Sequence, residues 1–457
     1  MNDPESIQRE QWGTKIGFIL AAAGSAIGLG NVWKFPYITG ENGGAAFVLV
    51  YLFCIVIIGW PIMLAELTIG RKAQRNPVGA FKILKPNSLW FLVGSLGILA
   101  GFFILSYYSV VAGWMMAYAY KAVTGVFQNF PAPASAGEHF GQFSASPLWS
   151  IVIHALFMIL CILIVSKGIK GGIERWSKIL MPVLFIILIL LVIRGVTLPG
   201  GSRGLSFLFK PDFSSITPTA VLIALGHAFF TLSLGMGAMI TYGSYMSESE
   251  NLPFNGLMVV FLDTFIALLA GVAIFTSVFA MNLDPTAGPG LVFHVLPAVF
   301  QQMPGGILFG TLFFLLMTIA ALTSGISLLE VVSAYFIDEQ GWKRQRAVLS
   351  TGAIIFLIGI PSALSFGLMR NWTFFFKMNV FDFVDFLAVN YMLPIGGLMI
   401  AFFAGWIWGS HRVIEEMRVG NPNFLAGPYW SFLVRFITPL GILVVIGAVV
   451  FGGVRFN

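Results

Sequence analysis

The sequence predicts an all-α, polytopic membrane fold of eleven transmembrane helices, and three observations carry that prediction. The chain has 457 residues, of which 58% are hydrophobic and only 10% charged, whereas a soluble domain carries roughly a quarter charged residues. Apolar stretches long enough to cross a bilayer recur along its whole length. Two of them, the first and the sixth, are interrupted by glycines in their middles.

The spans fall near 13–38, 44–69, 88–123, 148–166, 176–194, 219–246, 254–281, 305–337, 347–364, 383–409 and 428–453. A polar, mixed-charge leader precedes the first span and no small-residue cleavage site ends it, so a removable signal peptide is not expected. Lys and Arg set the orientation. A cytoplasmic N-terminus puts sixteen of the 25 basic residues, from Arg9 to Arg418, on the inner side, and eleven spans then leave Asn457 outside. The net charge of +6 thus reflects topology, and no motif supports a nucleic-acid partner. Cys54 and Cys161 lie inside apolar spans and read as small core hydrophobes; neither a disulfide framework nor a metal-ligand spacing is present. No linker divides the chain, so 1–457 reads as one transmembrane domain. Segment 285–304, between spans seven and eight, reads as an amphipathic outer loop forming a short helical hairpin lid.

Span one breaks within Gly24–Pro36, GSAIGLGNVWKFP. Glycine frees the backbone and weakens a helix, and Gly24, Gly28 and Gly30 make local unwinding plausible. In lipid, unwound backbone is tolerated only inside protein or beside a cavity, because every free N–H and C=O needs a partner. The freed carbonyls suit a cation, and the N-terminus of the following half-helix suits an anion. Close helix packing at small residues is the plainer alternative. Span six breaks at Thr231–Gly237, TLSLGMG. Spans one to five (about 13–194) and six to ten (about 219–409) superpose as a repeat, leaving 428–453 as an extra helix. Interruptions at corresponding places in two halves point to a transporter binding site at the bilayer midplane.

Specific motifs then extend over most of the chain: REQW at Arg9–Trp12, GLGNVWKFP, ENGG at Glu41–Gly44, Glu66, Tyr107-Tyr108, FFTLSLGMGAMITYGSYM at Phe229–Met246 and ALTSGIS at Ala321–Ser327. In these the chain resembles the neurotransmitter:sodium symporter family, in its bacterial amino-acid branch. The resemblance implies inverted repeats, sodium-coupled uptake by alternating access, and no enzymatic activity. It places a first sodium at the Ala26 carbonyl, the Asn31 amide oxygen, Thr231 and Asp263. A second sodium would meet the Gly24, Ile27 and Ala320 carbonyls with the Thr323 and Ser324 hydroxyls. One or two sodium ions are expected, with no organic cofactor. Mid-helix Ser and Thr also bond back to the preceding turn, which is the other reading of that pair. Where relatives commonly have asparagine this chain has Asp263. A carboxylate at a helix centre costs about 2.5–3.5 kcal/mol on insertion scales, a difficulty that a bound cation resolves. Chloride-dependent relatives supply the negative charge with an anion helped by a serine one turn on; here that position is Ala267, so chloride-independent transport is expected.

By the same resemblance a substrate carboxylate would meet the amides around Gly28–Gly30, the Tyr108 hydroxyl and the first sodium. The ammonium would meet carbonyls near Ala26 and Phe230 and the Thr231–Ser233 region. The side-chain pocket maps to Ser25, Ile104, Phe230, Met236, Ser324 and Leu328. Monoamine carriers have an aspartate at the position of Gly28, and the pocket holds no charged side chain. Flexible Met236 stands where a leucine-transporting relative has phenylalanine. Large hydrophobic or aromatic L-amino acids are therefore the expected substrates; betaine, glycine or taurine is the alternative. Lys34 and Asp385 align with the outer gate, and Arg9 and Asp338, beside Trp12, Ser244 and Tyr245, with the inner one. Lysine lacks the bidentate fork of the arginine that relatives usually carry at the outer gate. Gly172 and Pro182 match the spacing at which span five opens in relatives. His227 replaces a glutamine, either as a hydrogen-bonding substitute or as a titrating group. Beyond the substrate and membrane lipid no partner is implied, and eleven spans where many relatives have twelve suggest a monomer or weak dimer in the bacterial cytoplasmic membrane.

Overall fold

The computed structural model describes residues 9–132, 135–285, 288–374 and 377–453. Asn457, whose outer placement the spans imply, lies outside the described residues, as do positions 286–287 of the expected lid. Among the described residues the chain is entirely helix and connecting turns. Nine uninterrupted spans among the described residues, Ala45–Ala73, Phe91–Val123, Pro147–Val165, Ile169–Thr197, Leu252–Ala280, Gly306–Gln340, Arg344–Leu364, Val380–Ile407 and Gly427–Gly452, are long and apolar enough to cross a membrane. Span one is broken, with Lys15–Ala26 and Gly30–Glu41 bent by 50°. Span six is broken between Pro218–Thr231 and Ala238–Gly243.

The breaks have local causes. In span one the chain leaves the helix at Ile27, whose ψ of 93° is extended. In span six, Ser233, Gly235 and Gly237 all take positive φ, 54°, 78° and 75°, a region that glycine enters freely and other residues rarely do. At Gly235 a side chain would also collide with the Leu393 carbonyl of span ten.

Span five starts earlier than hydropathy suggests. It opens at Ile169 with a π-helical turn, Ile169–Glu174, because Lys170, Gly171, Gly172 and Glu174 dilute the apolar signal while still being helical. Gly172 lies in this turn and Pro182 lies inside the helix that follows. Short helices outside the spans also escaped the hydrophobic pattern: Pro77–Leu84 and Ser410–Arg418 at one end, Ser135–Ala145 and Ser202–Phe209 at the other. The lid region contains the helix Val295–Gln302, and Phe293 just before it stacks on Phe140 with ring centroids 4.4 Å apart.

Candidate functional site

The two breaks face one another, and side chains take up part of the freed backbone. The Gly28 N–H donates to the Asn31 amide oxygen at 3.1 Å, and the Leu29 N–H to the Tyr108 hydroxyl at 3.3 Å. Across from them, the Ser233 hydroxyl donates to the Ser25 carbonyl at 2.9 Å, and the Gly235 N–H to the fully buried Glu66 carboxylate at 2.7 Å. Between the breaks lies a narrow cavity of about 20 Å³, lined by all the expected substrate-site residues except Thr231, together with Leu29. Its side-chain end, formed by Ile104, Met236 and Leu328, carries no charge.

Thr231 turns away from that cavity toward Asp263, its hydroxyl 3.3 and 3.2 Å from the two carboxylate oxygens. The Asn31 amide nitrogen donates to the same carboxylate at 2.8 Å. Asp263 is 0% exposed, and among the described residues no Lys, Arg or His reaches within 4 Å of it. The Asp263 carboxylate and the Thr231 hydroxyl thus bring hard oxygens together beside the Asn31 amide, on three spans, a setting that suits a small alkali cation. One detail differs from the expectation: the nitrogen of Asn31, not its oxygen, faces Asp263, the orientation that satisfies a carboxylate through a neutral donor.

Of the second cluster, Ser324 meets span one and Thr323 bonds within its own helix. The Ser324 hydroxyl bridges to span one, 3.5 Å from the Gly24 carbonyl and 3.0 Å from that of Ser25. The Thr323 hydroxyl bonds back to the Ile319 and Ala320 carbonyls at 3.2 and 3.0 Å, so here the local back-bond and the expected ligand geometry use the same atoms.

The two ends of the site differ. At the inner end Arg9 donates to Asp338 at 2.6 Å and to Ser244 at 2.7 Å. Its guanidinium lies 4.6 Å from the Tyr245 ring centroid. Trp12 packs edge-on against Tyr242 and Tyr245 and donates its indole N–H to the Tyr242 carbonyl. That end is closed. At the outer end a cavity of about 400 Å³ opens above Phe230, flanked by Trp33, Tyr107, Trp114, Phe293, Phe381 and Asp385. Lys34 and Asp385 are not brought within ion-pairing distance; the Lys34 ammonium instead sits 4.8 Å from the Phe230 ring centroid. His227 is buried between Phe35 and Tyr51. Neither of its ring nitrogens has a hydrogen-bond partner among the described residues, so it does not act as a hydrogen-bonding stand-in for glutamine.

A family model described as the sodium:neurotransmitter symporter family matches residues 9–130 and 138–454. The chain belongs to that family. The symporter is 42% identical over 436 residues to the sodium-dependent transporter YhdH of Bacillus subtilis, covering 95% of this chain and 96% of that one. It is 28% identical to the serotonin transporter of Drosophila melanogaster, covering 96% and 76%. A crystal structure of MhsT in complex with L-phenylalanine superposes with a TM-score of 0.88 at 50% identity, covering 96% of this chain and 99% of that one. It is an integral membrane protein of a sodium-using transporter family, with the inverted-repeat fold of broken helices one and six.

The symporter's inner end holds residues that the motifs did not reveal. Buried Glu330 accepts from the Tyr245 hydroxyl at 2.6 Å and from Arg344 at 2.7 Å; an acid inside an apolar span was the available signal. Asp338 also accepts from the Asn76 N–H at 2.7 Å. Glu174 receives the Gly13 N–H at 2.6 Å, the Thr14 hydroxyl at 2.9 Å and the Lys178 ammonium at 2.5 Å. These contacts tie the segment before span one to spans five, six and eight. Arg9→Ala removes two partly buried, charge-assisted bonds, to Asp338 and Ser244, and leaves the Asp338 carboxylate with Asn76 alone. A loss of about 2 kcal/mol predicts roughly 30-fold faster hydrogen exchange in residues 10–17; an unchanged rate would mean that the Trp12 cluster alone holds this end.

Proposed function

We propose that the symporter takes up large hydrophobic or aromatic L-amino acids together with one or two sodium ions, without chloride, from a cytoplasmic-N-terminus orientation. The observation that carries this reading is the juxtaposition of an uncharged apolar cavity with a buried carboxylate that has no cationic side chain beside it. An amino acid brings its own carboxylate to the backbone amides around Gly28–Gly30 and the Tyr108 hydroxyl; an amine without one finds no acid at Gly28. Asp263 supplies the negative charge beside the first sodium, and Ala267 offers no hydroxyl to hold an anion. The phenylalanine bound to MhsT supports the same substrate class.

The cycle follows from the two ends. Sodium and substrate enter through the open outer vestibule and draw the two breaks together. Phe230 and the Lys34–Asp385 region then close above them, after which the Arg9–Asp338 contacts release below. Each charge moved inward supplies about 2.3 kcal/mol per 100 mV, and a tenfold gradient adds about 1.4 kcal/mol per ion. Two sodium ions therefore supply roughly 7 kcal/mol, enough for about 10⁵-fold accumulation of a zwitterion; one ion gives about the square root of that. The eleven-span chain works as a monomer or a weak dimer on this reading.

The test is uptake of labelled tryptophan, leucine, glycine and betaine into proteoliposomes under inward sodium or potassium gradients, with and without chloride. Sodium-dependent accumulation of tryptophan or leucine that ignores chloride is expected. Uptake of betaine or glycine alone would discard the pocket assignment, and uptake indifferent to sodium would discard both ion sites. A second expectation concerns the outer end. Lys34→Arg gives Asp385 a forked partner, and a gain of about 1 kcal/mol predicts roughly fivefold slower substrate dissociation. An unchanged off-rate would show that Asp385 takes no part in closure.

A further inference from the structure

Spans ten and eleven meet through two π-helical turns, Phe403–Ile407 and Leu433–Ile437. Each widens its helix by one residue, a distortion that often marks a functional place. Arg435 lies in the second turn, inside a membrane-spanning segment. Gly405 of the first turn makes room for it: a side chain there would press on the Arg435 Cγ at 3.0 Å and its Cα at 3.4 Å. The guanidinium lies 4.2 Å from the Trp406 ring centroid and 5.4 Å from that of Phe436. Trp406 is itself fixed, its indole N–H donating to the Arg435 carbonyl at 3.2 Å.

What this arginine lacks is an anion. Among the described residues no Asp or Glu lies within 4 Å of it, and its buried Nε has no acceptor. A charged group in a membrane segment without a partner is costly and marks a site. The surroundings identify the medium that would supply one: Trp406, Phe432 and Phe436 are 45%, 53% and 47% exposed, so this face of the protein meets lipid. Arg435 stands eight residues from the N-terminal end of its span, about 12 Å, and its guanidinium lies beside Trp406, next to the last residue of span ten. From such a depth arginine snorkels to the phosphate layer. A guanidinium fork matches phosphate oxygens in a bidentate manner.

We propose that the groove between spans ten and eleven is a binding site for the headgroup phosphate of an anionic phospholipid in the leaflet at the Arg9–Asp338 end. Arg435 is the phosphate ligand, and Trp406 and Phe436 flank it at the glycerol level. The site lies apart from the two breaks and does not depend on the substrate assignment.

Native mass spectrometry of the full chain in neutral detergent, titrated with dioleoylphosphatidylglycerol or dioleoylphosphatidylcholine, tests this. The intact protein is expected to prefer phosphatidylglycerol by about fivefold or more, the scale of one basic residue at an anionic surface. Arg435→Gln should bring the two lipids to near parity, while Arg370→Gln, an exposed arginine elsewhere, should keep the preference. Equal binding of both lipids by the intact protein, or a preference that survives Arg435→Gln, would overturn the proposal. Displacement of phosphatidylglycerol by inorganic phosphate would do the same and reassign the site to a free anion. Should Arg435→Gln fail to fold, Arg435→Lys decides: it keeps the charge but loses the fork, and a fully retained preference counts against the site.

Discussion

Asp263→Asn is expected to raise the sodium concentration needed for half-maximal substrate binding by roughly 10²- to 4×10³-fold. Breaking a buried charge pair costs about 3–5 kcal/mol, and Asp263 is the one carboxylate at the first cluster, 0% exposed and bonded only to neutral Asn31 and Thr231. Neutralising it leaves a cation to be held by amide, hydroxyl and carbonyl dipoles alone. Binding of tryptophan followed against sodium concentration reads the effect. A half-saturation unchanged by the substitution would remove Asp263 from the ion site. The same logic makes the double variant Asp263→Asn with Ala267→Ser informative: it should recover part of its uptake when chloride is present and none without it.

Gly28→Ala should separate the substrate from the first sodium. A Cβ at this position would run into the Ser324 hydroxyl, an expected ligand of the second sodium, and stand 3.0 Å from the Tyr108 hydroxyl, which borders the expected carboxylate position. Overpacking of this kind costs about 1–3 kcal/mol, so tryptophan affinity should fall roughly 10- to 100-fold. Sodium binding at the Asp263 cluster, on the far side of Asn31, should change little. Equal losses in both would indicate that the methyl group distorts the whole break rather than the substrate end of it.

The sequence carried the site further than it carried the fold's details. Glycine-rich interruptions and an acid in an apolar span marked the breaks locally, while the grouping of Asn31, Thr231 and Asp263 came from the resemblance to the symporter family. Hydropathy averages over a window, and for that reason it missed the start of span five at Ile169 and the short helices outside the spans. Pair geometry was less legible. Lys34 and Asp385 carry opposite charges at aligned positions, yet the Lys34 ammonium lies by the Phe230 ring instead. Thr231 was placed at both the substrate and the ion; a hydroxyl that bonds Asp263 on one side cannot also line the cavity on the other.

On the proposed reading, much of the recognition at the first break falls to main-chain groups of Gly24, Ser25, Ile27, Gly28 and Leu29, which do not depend on side-chain identity. Mutational drift at Ile104, Met236 or Leu328 can therefore reshape the apolar end without rewriting the apparatus that reads a carboxylate or a cation. Such a division of labour lets descendants of one ancestral gene acquire new nutrients by a few codon changes while inheriting the same engine.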